Sequence, residues 1–163
     1  MTDQAARLRA LVEARLHAGE AAKDGPRLVA VASGKGGVGK TNLSLNLGLA
    51  MARRTGRSDV CLVDIDFGLA NADVLCSVQP ERTLADVLDG QCSMEDAMVL
   101  GPGGLRLLPG IGGGRGRPSL DEQDRSRLVE IAESLGEAAS VVLFDCAAGI
   151  GRNVCAFTRS VDD

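Results

Sequence analysis

The residues with the clearest chemical meaning form one glycine-rich stretch. Residues 33–41 read Ser-Gly-Lys-Gly-Gly-Val-Gly-Lys-Thr and fit the phosphate-loop pattern G-x-x-x-x-G-K-[ST]. Glycine lets the backbone adopt positive φ and approach a ligand closely, so that successive N–H groups can surround an anion. Lys40 is expected to reach the β- and γ-phosphates of a nucleoside triphosphate, and the Thr41 hydroxyl to bind Mg²⁺. The residues predicted to bind the nucleotide are Gly34, Lys35, Gly36, Gly37, Val38, Gly39, Lys40, Thr41 and Asn42.

Three aspartates are predicted to lie at the same edge of the fold as this loop. Asp145 ends the apolar run 140–145 and would hold Mg²⁺, directly or through water, together with Thr41. Asp64 and Asp66 are two residues apart, so in an extended chain they point the same way. One can serve the metal while the other orients the attacking water. The alternative is that acidic residues simply end strands at a polar edge, but three of them beside a phosphate loop favour the functional interpretation.

The elements that must position these residues alternate between strands and helices. Apolar runs typical of buried strands cover residues 27–32, 59–64, 105–108 and 140–145. Helical patterns cover residues 43–51, continuing towards 56, and then 83–88, 121–136 and 153–160. This alternation predicts an α/β fold of three layers, with a mainly parallel sheet between helices. In such sheets ligands bind beyond the carboxyl ends of the strands, where the glycine-rich loop and the aspartates fall.

The flanks of two motifs sharpen this interpretation. A strand before the glycine-rich stretch and a helix after it are the context that a phosphate loop requires, so a coincidental glycine-rich turn is disfavoured. Asp121 or Ser119 is expected to open the helix 121–136. Residues 147–149 are small, and we expect them to form a loop that can approach a γ-phosphate.

The N-terminal residues are predicted to form a separate helix. Over residues 4–18 the apolar side chains repeat at helical spacing, and Thr2 or Asp3 can cap the helix. Residues 19–25 are rich in glycine and alanine, and Pro26 stops any continuation, so they are interpreted as a hinge. The sequence therefore predicts an N-terminal helix and hinge at 1–25 and a phosphate-loop domain at 26–163.

Composition excludes several classes of protein. The net charge of −4 and the pI of about 5.1 argue against nucleic-acid binding. No stretch has the length of a membrane span and no secretory signal is present, so a cytoplasmic protein is expected. Five scattered cysteines are interpreted as reduced thiols, with a metal or cluster site as the alternative. Aromatic residues make up only 2% of the chain, which predicts an aliphatic core.

A glycine-rich segment at residues 101–116 allows two interpretations. It is followed by Arg117 and contains Arg115, so it could be an RGG-like nucleic-acid segment. It has no aromatic residue to stack on bases, and a mobile connection is therefore favoured.

The motifs resemble those of the MinD/ParA ATPases. Residues 34–41, with Lys35 directly after the first glycine, resemble their deviant Walker A motif. Residues 64–75 and 83–90 resemble their switch I region, and residues 145–151 resemble switch II. The segment Asp3-Gln-Ala-Ala-Arg-Leu-Arg9 resembles the N-terminal helix of the flagellar-number regulator branch (FlhG, also called FleN or YlxH), the branch that this sequence matches best.

The resemblance implies an ATPase that forms a face-to-face homodimer with ATP and Mg²⁺ and separates after hydrolysis. Lys35 would reach across the dimer to the partner's phosphates, Asp66 would position or activate the water, and Lys40 would stabilise the phosphates. The implied switch residues are Asp64, Asn71, Asp145 and Gly149, with Asp64 and Asp145 supporting Mg²⁺. The residues implied to contact an FlhF-type GTPase are Asp3, Gln4, Ala5, Leu8 and Arg9.

Family members continue beyond the position of Asp163 with another strand, base-contacting residues and an amphipathic membrane-targeting helix. We therefore expect a fold that is incomplete at the C-terminus, from a fragment or a short paralogue, without direct nucleic-acid binding. Three alternatives stay open. They are a general MinD/ParA positioning or partitioning ATPase, an iron–sulfur carrier ATPase, which would need a paired-cysteine motif, and a truncated, non-hydrolytic binding module.

Overall fold

A computed structural model describes residues 27–55, 59–66, 70–110 and 121–148. Its strands are β1 Arg27–Ser33, β2 Val60–Ile65, β3 Val99–Leu100, β4 Arg106–Leu108 and β5 Val141–Ala148. They form one sheet in the order β1-β5-β2-β4-β3. β1, β5, β2 and β4 run parallel, and β3 pairs antiparallel with β4 at the edge. The predicted mainly parallel α/β sheet is confirmed.

Helices cover both faces of this sheet. They are α1 Lys40–Thr55, α2 Ala72–Cys76, α3 Leu84–Leu88, α4 Met94–Ala97 and α5 Glu122–Ala138, with a 3₁₀ turn at Pro102–Gly104. Along β2, Cys61, Val63 and Ile65 pack in a cluster with α3, α4 and α5. Val60 and Leu62 pack in a second cluster with α1 and α2. The sheet is therefore the middle of three layers, as predicted.

The sheet centre explains why the strands could be recognised from apolar runs. Every residue of β2 is buried, because helices lie on both of its faces. Within the described ranges, the large, fully buried side chains are leucine and valine apart from Phe144. The aliphatic core expected from the composition is thus confirmed.

Helix ends follow from local side chains. α5 begins after Asp121, whose carboxylate accepts the Asp124 N–H at 2.8 Å, while the Asp124 carboxylate accepts the Asp121 N–H at 3.1 Å. Asp121 rather than Ser119 is therefore the cap. α3 is capped in the same way by Thr83, and Gly90 follows it with φ of 70°.

The structure corrects one expectation and adds elements that the sequence did not indicate. Ala147 and Ala148 belong to β5 rather than to a loop, because pairing with β1 continues as far as Ser33 opposite Ala148. α2, α4 and β3 were not predicted. They have five, four and two residues, so their apolar period is a weak signal; α3 is as short as α2, but Gly90 marks its end in the sequence.

Several predictions lie outside the described residues. They concern the N-terminal helix and hinge at 1–25, residue Gly149, the helix at 153–160 and residues 111–116 of the glycine-rich segment. In the ranges that are described, no helix combines the length and the apolar character needed to cross a bilayer.

Candidate functional site

The phosphate loop lies where the pattern placed it, between the end of β1 and the start of α1. Gly37 and Gly39 have φ of 72° and 88°, in the left-handed region where a side chain is strained. The Ser33 hydroxyl donates a 2.6 Å hydrogen bond to the Lys35 carbonyl, which ties the start of the loop together. The Leu43 N–H donates to the Gly39 carbonyl at 2.9 Å, so helical hydrogen bonding begins at once. The loop is built for the approach of an anion.

The helix that follows adds a favourable field. α1 is 16 residues long and has no acidic residue in its first turn. The partial positive charge at its N-terminus is therefore not neutralised by its own side chains. Lys40 and Thr41 start this helix and are half-buried, whereas Lys35 is exposed. Asn42 is exposed next to them.

Asp145 on β5 lies beside the start of α1. The Ser44 hydroxyl donates to Asp145 Oδ1 at 3.1 Å, and the Thr41 hydroxyl lies against the same carboxylate. Burial raises the pKa of Asp145, while the two hydroxyls and the Lys40 ammonium oppose that rise.

One oxygen of this carboxylate has a particular environment. Asp145 Oδ2 is buried and has no hydrogen-bond partner in the described part of the chain. A buried acceptor without a partner is costly unless an ion or water satisfies it. One carboxylate and one hydroxyl, completed by phosphate oxygens and water, match the way Mg²⁺ is usually bound beside nucleotides. Thr41 and Asp145 therefore fit a magnesium ion.

Asp64, near the end of β2, differs from Asp145 because both of its carboxylate oxygens accept hydrogen bonds. It faces Asp145 in the register of β2 and β5 and is 1% exposed. Its Oδ1 accepts the Asp66 N–H at 3.0 Å, and its Oδ2 accepts the N–H groups of Asn71 at 3.2 Å and Ala72 at 3.3 Å. Burial raises the pKa of Asp64 to about 7, although the Asp66 and Ala72 N–H groups lower it.

The structure brings the predicted carboxylates together at one edge. Asp64, Asp66 and Asp145 influence one another electrostatically. Asp66 is half-buried just beyond β2, and Asn71 is exposed just before α2. Across the described ranges, however, no three His, Cys, Asp or Glu side chains form a group that could hold a metal ion. The three aspartates therefore have separate positions around the loop rather than forming one metal cage.

Two residues near the site were not singled out from the sequence. Ser44 bridges the Lys40 carbonyl, at 3.0 Å, and Asp145. Its signal was weak, since a serine between leucines of a buried helix is unusual but not diagnostic. Gly110 follows β4 by two residues and lies directly against Asp64. A Pro-Gly pair after a strand indicates a turn, but nothing in the sequence connects it with Asp64.

The cysteines in the described ranges are free thiols without metal-site grouping. Burial raises the pKa of Cys61 and of Cys146 to about 12, which keeps both protonated. The expected burial is confirmed for Cys61, Cys76 and Cys146, and the reduced state stays a prediction. Cys155 lies outside the described residues.

The buried Asp64 makes the stability of the nucleotide-free chain depend on pH. Its pKa is raised from 3.8 to about 7, so between about pH 4 and 7 the folded state binds more protons than the unfolded state. The free energy of unfolding therefore falls as pH rises through this window. From pH 5.5 to 7.5 the contribution of this group falls by about 2 kcal/mol. We expect urea denaturation to show that loss in the wild type and a smaller loss in Asp64→Asn.

The exposed Glu137 near the end of α5 gives the matched control for this pH effect. Glu137→Gln should keep the pH dependence of the wild type. Equal slopes for wild type and Asp64→Asn would show that Asp64 does not take up the proton.

Known proteins are similar to this chain in sequence and in fold. A model of the CobQ/CobB/MinD/ParA nucleotide binding domain matches residues 29–150. The antiactivator FleN of Pseudomonas aeruginosa is 43% identical over 137 residues, which cover 84% of this chain and 48% of FleN. The septum site-determining protein MinD of Pyrococcus horikoshii OT3, solved in complex with Mg-ADP, has 30% identity and a TM-score of 0.68. That match covers 84% of this chain and 55% of that one.

A further structural match extends the likeness to another member of this group. Cobyrinic acid a,c-diamide synthase of Mycobacterium smegmatis, solved with an ATP analogue and magnesium, has 26% identity and a TM-score of 0.65. The match covers 80% of this chain and 54% of that one. The chain spans about half the length of the curated relatives it matches.

Proposed function

Because the chain belongs to the CobQ/CobB/MinD/ParA nucleotide-binding family, we propose that it is an ATP-binding and ATP-hydrolysing dimerisation switch that regulates flagellar number or placement. The observation that carries the nucleotide part is the partnerless buried Oδ2 of Asp145 beside Thr41, at the start of a phosphate loop. A chain with this loop and without an ion there would leave a buried charged oxygen unsatisfied.

The positions of the residues support the following proposed roles. Thr41 and Asp145 would hold Mg²⁺, which supplies positive charge to the phosphates of ATP. The loop N–H groups and Lys40 would bind the β- and γ-phosphates. Asp66, at the edge of the sheet, would orient the attacking water. These assignments account for the predicted catalytic and metal residues with one bound nucleotide.

The dimer part of the proposal is supported by the surface around the loop. Lys35 is exposed, as a side chain that reaches a partner protomer would be. Val38 in the loop and Leu43 just after it are both 59% exposed. Apolar side chains beside a charged loop are what a partner protomer would cover. We propose that ATP joins two protomers through this face.

The nucleotide part is tested on the purified chain with Lys40→Ala. We expect the wild type to bind Mg-ATP and release phosphate, and Lys40→Ala to lose at least about 100-fold in turnover, because a fixed charge at the transferred phosphate is removed. Isothermal titration and a phosphate-release assay measure both. The control is Arg54→Ala, an exposed cation near the end of α1. A wild type that binds no nucleotide would refute the proposal.

The flagellar part of the proposal is supported by the 43% identity to an antiactivator named FleN. We propose that residues 1–25 form a separate helix and hinge and contact an FlhF-type GTPase through Asp3, Gln4, Ala5, Leu8 and Arg9. A peptide of residues 1–18 should then stimulate such a GTPase, and the same peptide with Leu8→Asp should not. Equal GTP hydrolysis with and without the peptide would contradict this part alone.

A general MinD/ParA positioning ATPase is the second candidate, favoured by the MinD structures with similar folds. It shares the nucleotide chemistry and differs in the partner. Nucleotide-dependent dimerisation without any effect of the peptide would favour it. Nucleotide binding without hydrolysis would instead favour a non-hydrolytic binding module.

A further inference from the structure

Asp64 connects two points of the chain that both border the phosphate site. Through Oδ1 it accepts the N–H of Asp66, just after β2, and through Oδ2 it accepts the N–H groups of Asn71 and Ala72, just before and at the start of α2. One carboxylate thus joins the two ends of the β2–α2 connection. Its side chain is enclosed, with 1% exposure, so water cannot readily replace these partners.

Gly110, which follows β4, also packs closely against Asp64 and Ala70. A Cβ atom at Gly110 would lie 2.7 Å from the Asp64 carbonyl oxygen, 2.9 Å from the Ala70 Cβ and 3.1 Å from the Asp64 Cγ. The first distance is to backbone, which cannot move aside as a flexible side chain can. Only glycine lets the segment after β4 lie this close to both ends of the connection.

Gly110 cannot simply retreat from Asp64. The preceding residue, Pro109, is buried, and its carbonyl accepts the Leu84 N–H of α3 at 2.8 Å. Leu107 and Leu108 on β4 are fully buried and pair with β2. A side chain at 110 would therefore displace Ala70 and the Asp64 carboxylate rather than the buried residues of β4.

We propose that Asp64 and Gly110 are positioning residues, which together fix Asp66 and Asn71 at the edge of the phosphate site, and that Asp64 is not a magnesium ligand. The proposal rests on the ATPase function proposed above. Both Asp64 oxygens already accept backbone N–H groups, whereas Asp145 Oδ2 has no such partner among the described residues. Of the two aspartates that face each other across β2 and β5, Asp64 therefore binds the protein backbone and Asp145 would bind the metal.

The test compares Asp64→Asn, Gly110→Ala and Asp145→Asn in the full chain. Asp64→Asn keeps the side-chain volume but replaces one of the two acceptor oxygens with an NH₂ donor. Backbone N–H groups that this oxygen accepted are then left unpaired. We expect kcat to fall about 10- to 100-fold in Asp64→Asn and in Gly110→Ala, because displaced groups orient the water poorly. Half-saturation by Mg²⁺ and the KM for ATP should stay within about threefold of wild type. Asp145→Asn should instead raise the Mg²⁺ half-saturation about tenfold or more.

A measurement that does not depend on ATP turnover tests this proposal even if the proposed ATPase function is wrong. Amide hydrogen exchange of Asn71 and Ala72 in the nucleotide-free chain should be about tenfold faster in Asp64→Asn than in wild type. This comparison holds even if the wild type hydrolyses nothing. Unchanged exchange at both amides would overturn the positioning role directly.

Gly110→Ala keeps the proposal testable if Asp64→Asn fails to fold, because it changes no charged group. Its control is Gly101→Ala, in the connection between β3 and β4, where a Cβ would lie 3.3 Å from the Leu105 carbonyl oxygen. We expect Gly101→Ala to stay within about twofold of wild-type kcat. A rise in Mg²⁺ half-saturation for Asp64→Asn equal to that of Asp145→Asn, or an unchanged kcat in Gly110→Ala, would overturn the proposal.

Discussion

Replacing Asp66 with alanine is expected to lower ATP turnover by roughly 100-fold or more while leaving ATP binding nearly unchanged. The Asp66 backbone is held by the 3.0 Å hydrogen bond from its N–H to Asp64, so its side chain starts from a fixed point beside the phosphate loop. A carboxylate there can orient the attacking water or accept its proton. The Asp66 carboxylate is not needed to bind the nucleotide, because the loop, Lys40 and Thr41 are expected to suffice for binding.

The measurement combines phosphate release with the molecular mass in the presence of ATP. Because hydrolysis is expected to separate the protomers, Asp66→Ala should stay dimeric with ATP for longer than the wild type does. Glu95→Ala, at an exposed position on α4, is the control and should change neither quantity. Wild-type turnover in Asp66→Ala would remove this residue from the mechanism.

The part of the site that the sequence predicted depends on local chemistry. The glycines at 37 and 39, the lysine and threonine after them and the apolar strand before them are adjacent in the chain. Their geometry follows from the backbone freedom of glycine and from the start of a helix. That Asp64 and Asp145 lie at one edge could also be foreseen, because each ends an apolar run and parallel strands end at one edge. Their direct pairing needs the strand order, which places β2 beside β5.

The part that could not be predicted depends on contacts between distant residues. Nothing in the sequence indicates that Asp64 binds backbone N–H groups of Asn71 and Ala72, since any aspartate at a strand end looks the same. The close contact of Gly110 with Asp64 could be predicted only with the register of β4 beside β2. β5 reaches Ala148 because β1 pairs with it, and alanine has no strong strand preference of its own.

The distinction between the two facing aspartates shows how fold and chemistry are connected. Both lie on the α1 side of the sheet, both are nearly fully buried, and burial raises the pKa of both. They differ in which donors reach them. Asp145 faces the hydroxyls of α1, whereas Asp64 accepts backbone N–H groups of Asp66 and Ala72. The two aspartates thus occupy equivalent positions on their strands, and the donors in the neighbouring segments give them different roles.

Replacing Lys35 with alanine is expected to abolish the ATP-dependent dimer. The Lys35 carbonyl accepts the Ser33 hydroxyl at 2.6 Å, so the backbone at this position is fixed while the side chain is exposed. A cation that reaches the partner's phosphates would neutralise charge that otherwise repels two bound nucleotides. Without it, the protein with ATP should have the mass of a monomer by light scattering. Turnover should fall by roughly 100-fold, because charge supplied across an interface stabilises the transition state.

The monomer predicted for Lys35→Ala must be distinguished from a protein that no longer binds nucleotide. ATP affinity should stay within a few-fold of wild type, because Lys40, Thr41 and the loop N–H groups are untouched, whereas Lys40→Ala should lose binding and dimer together. The double variant Lys35→Ala/Asp66→Ala should be monomeric, since slow hydrolysis cannot preserve a dimer that does not form. A dimer of Lys35→Ala with ATP, or a wild type that is monomeric with ATP while still hydrolysing it, would contradict the role of this lysine. In that case the exposed Val38 and Leu43 would need another partner.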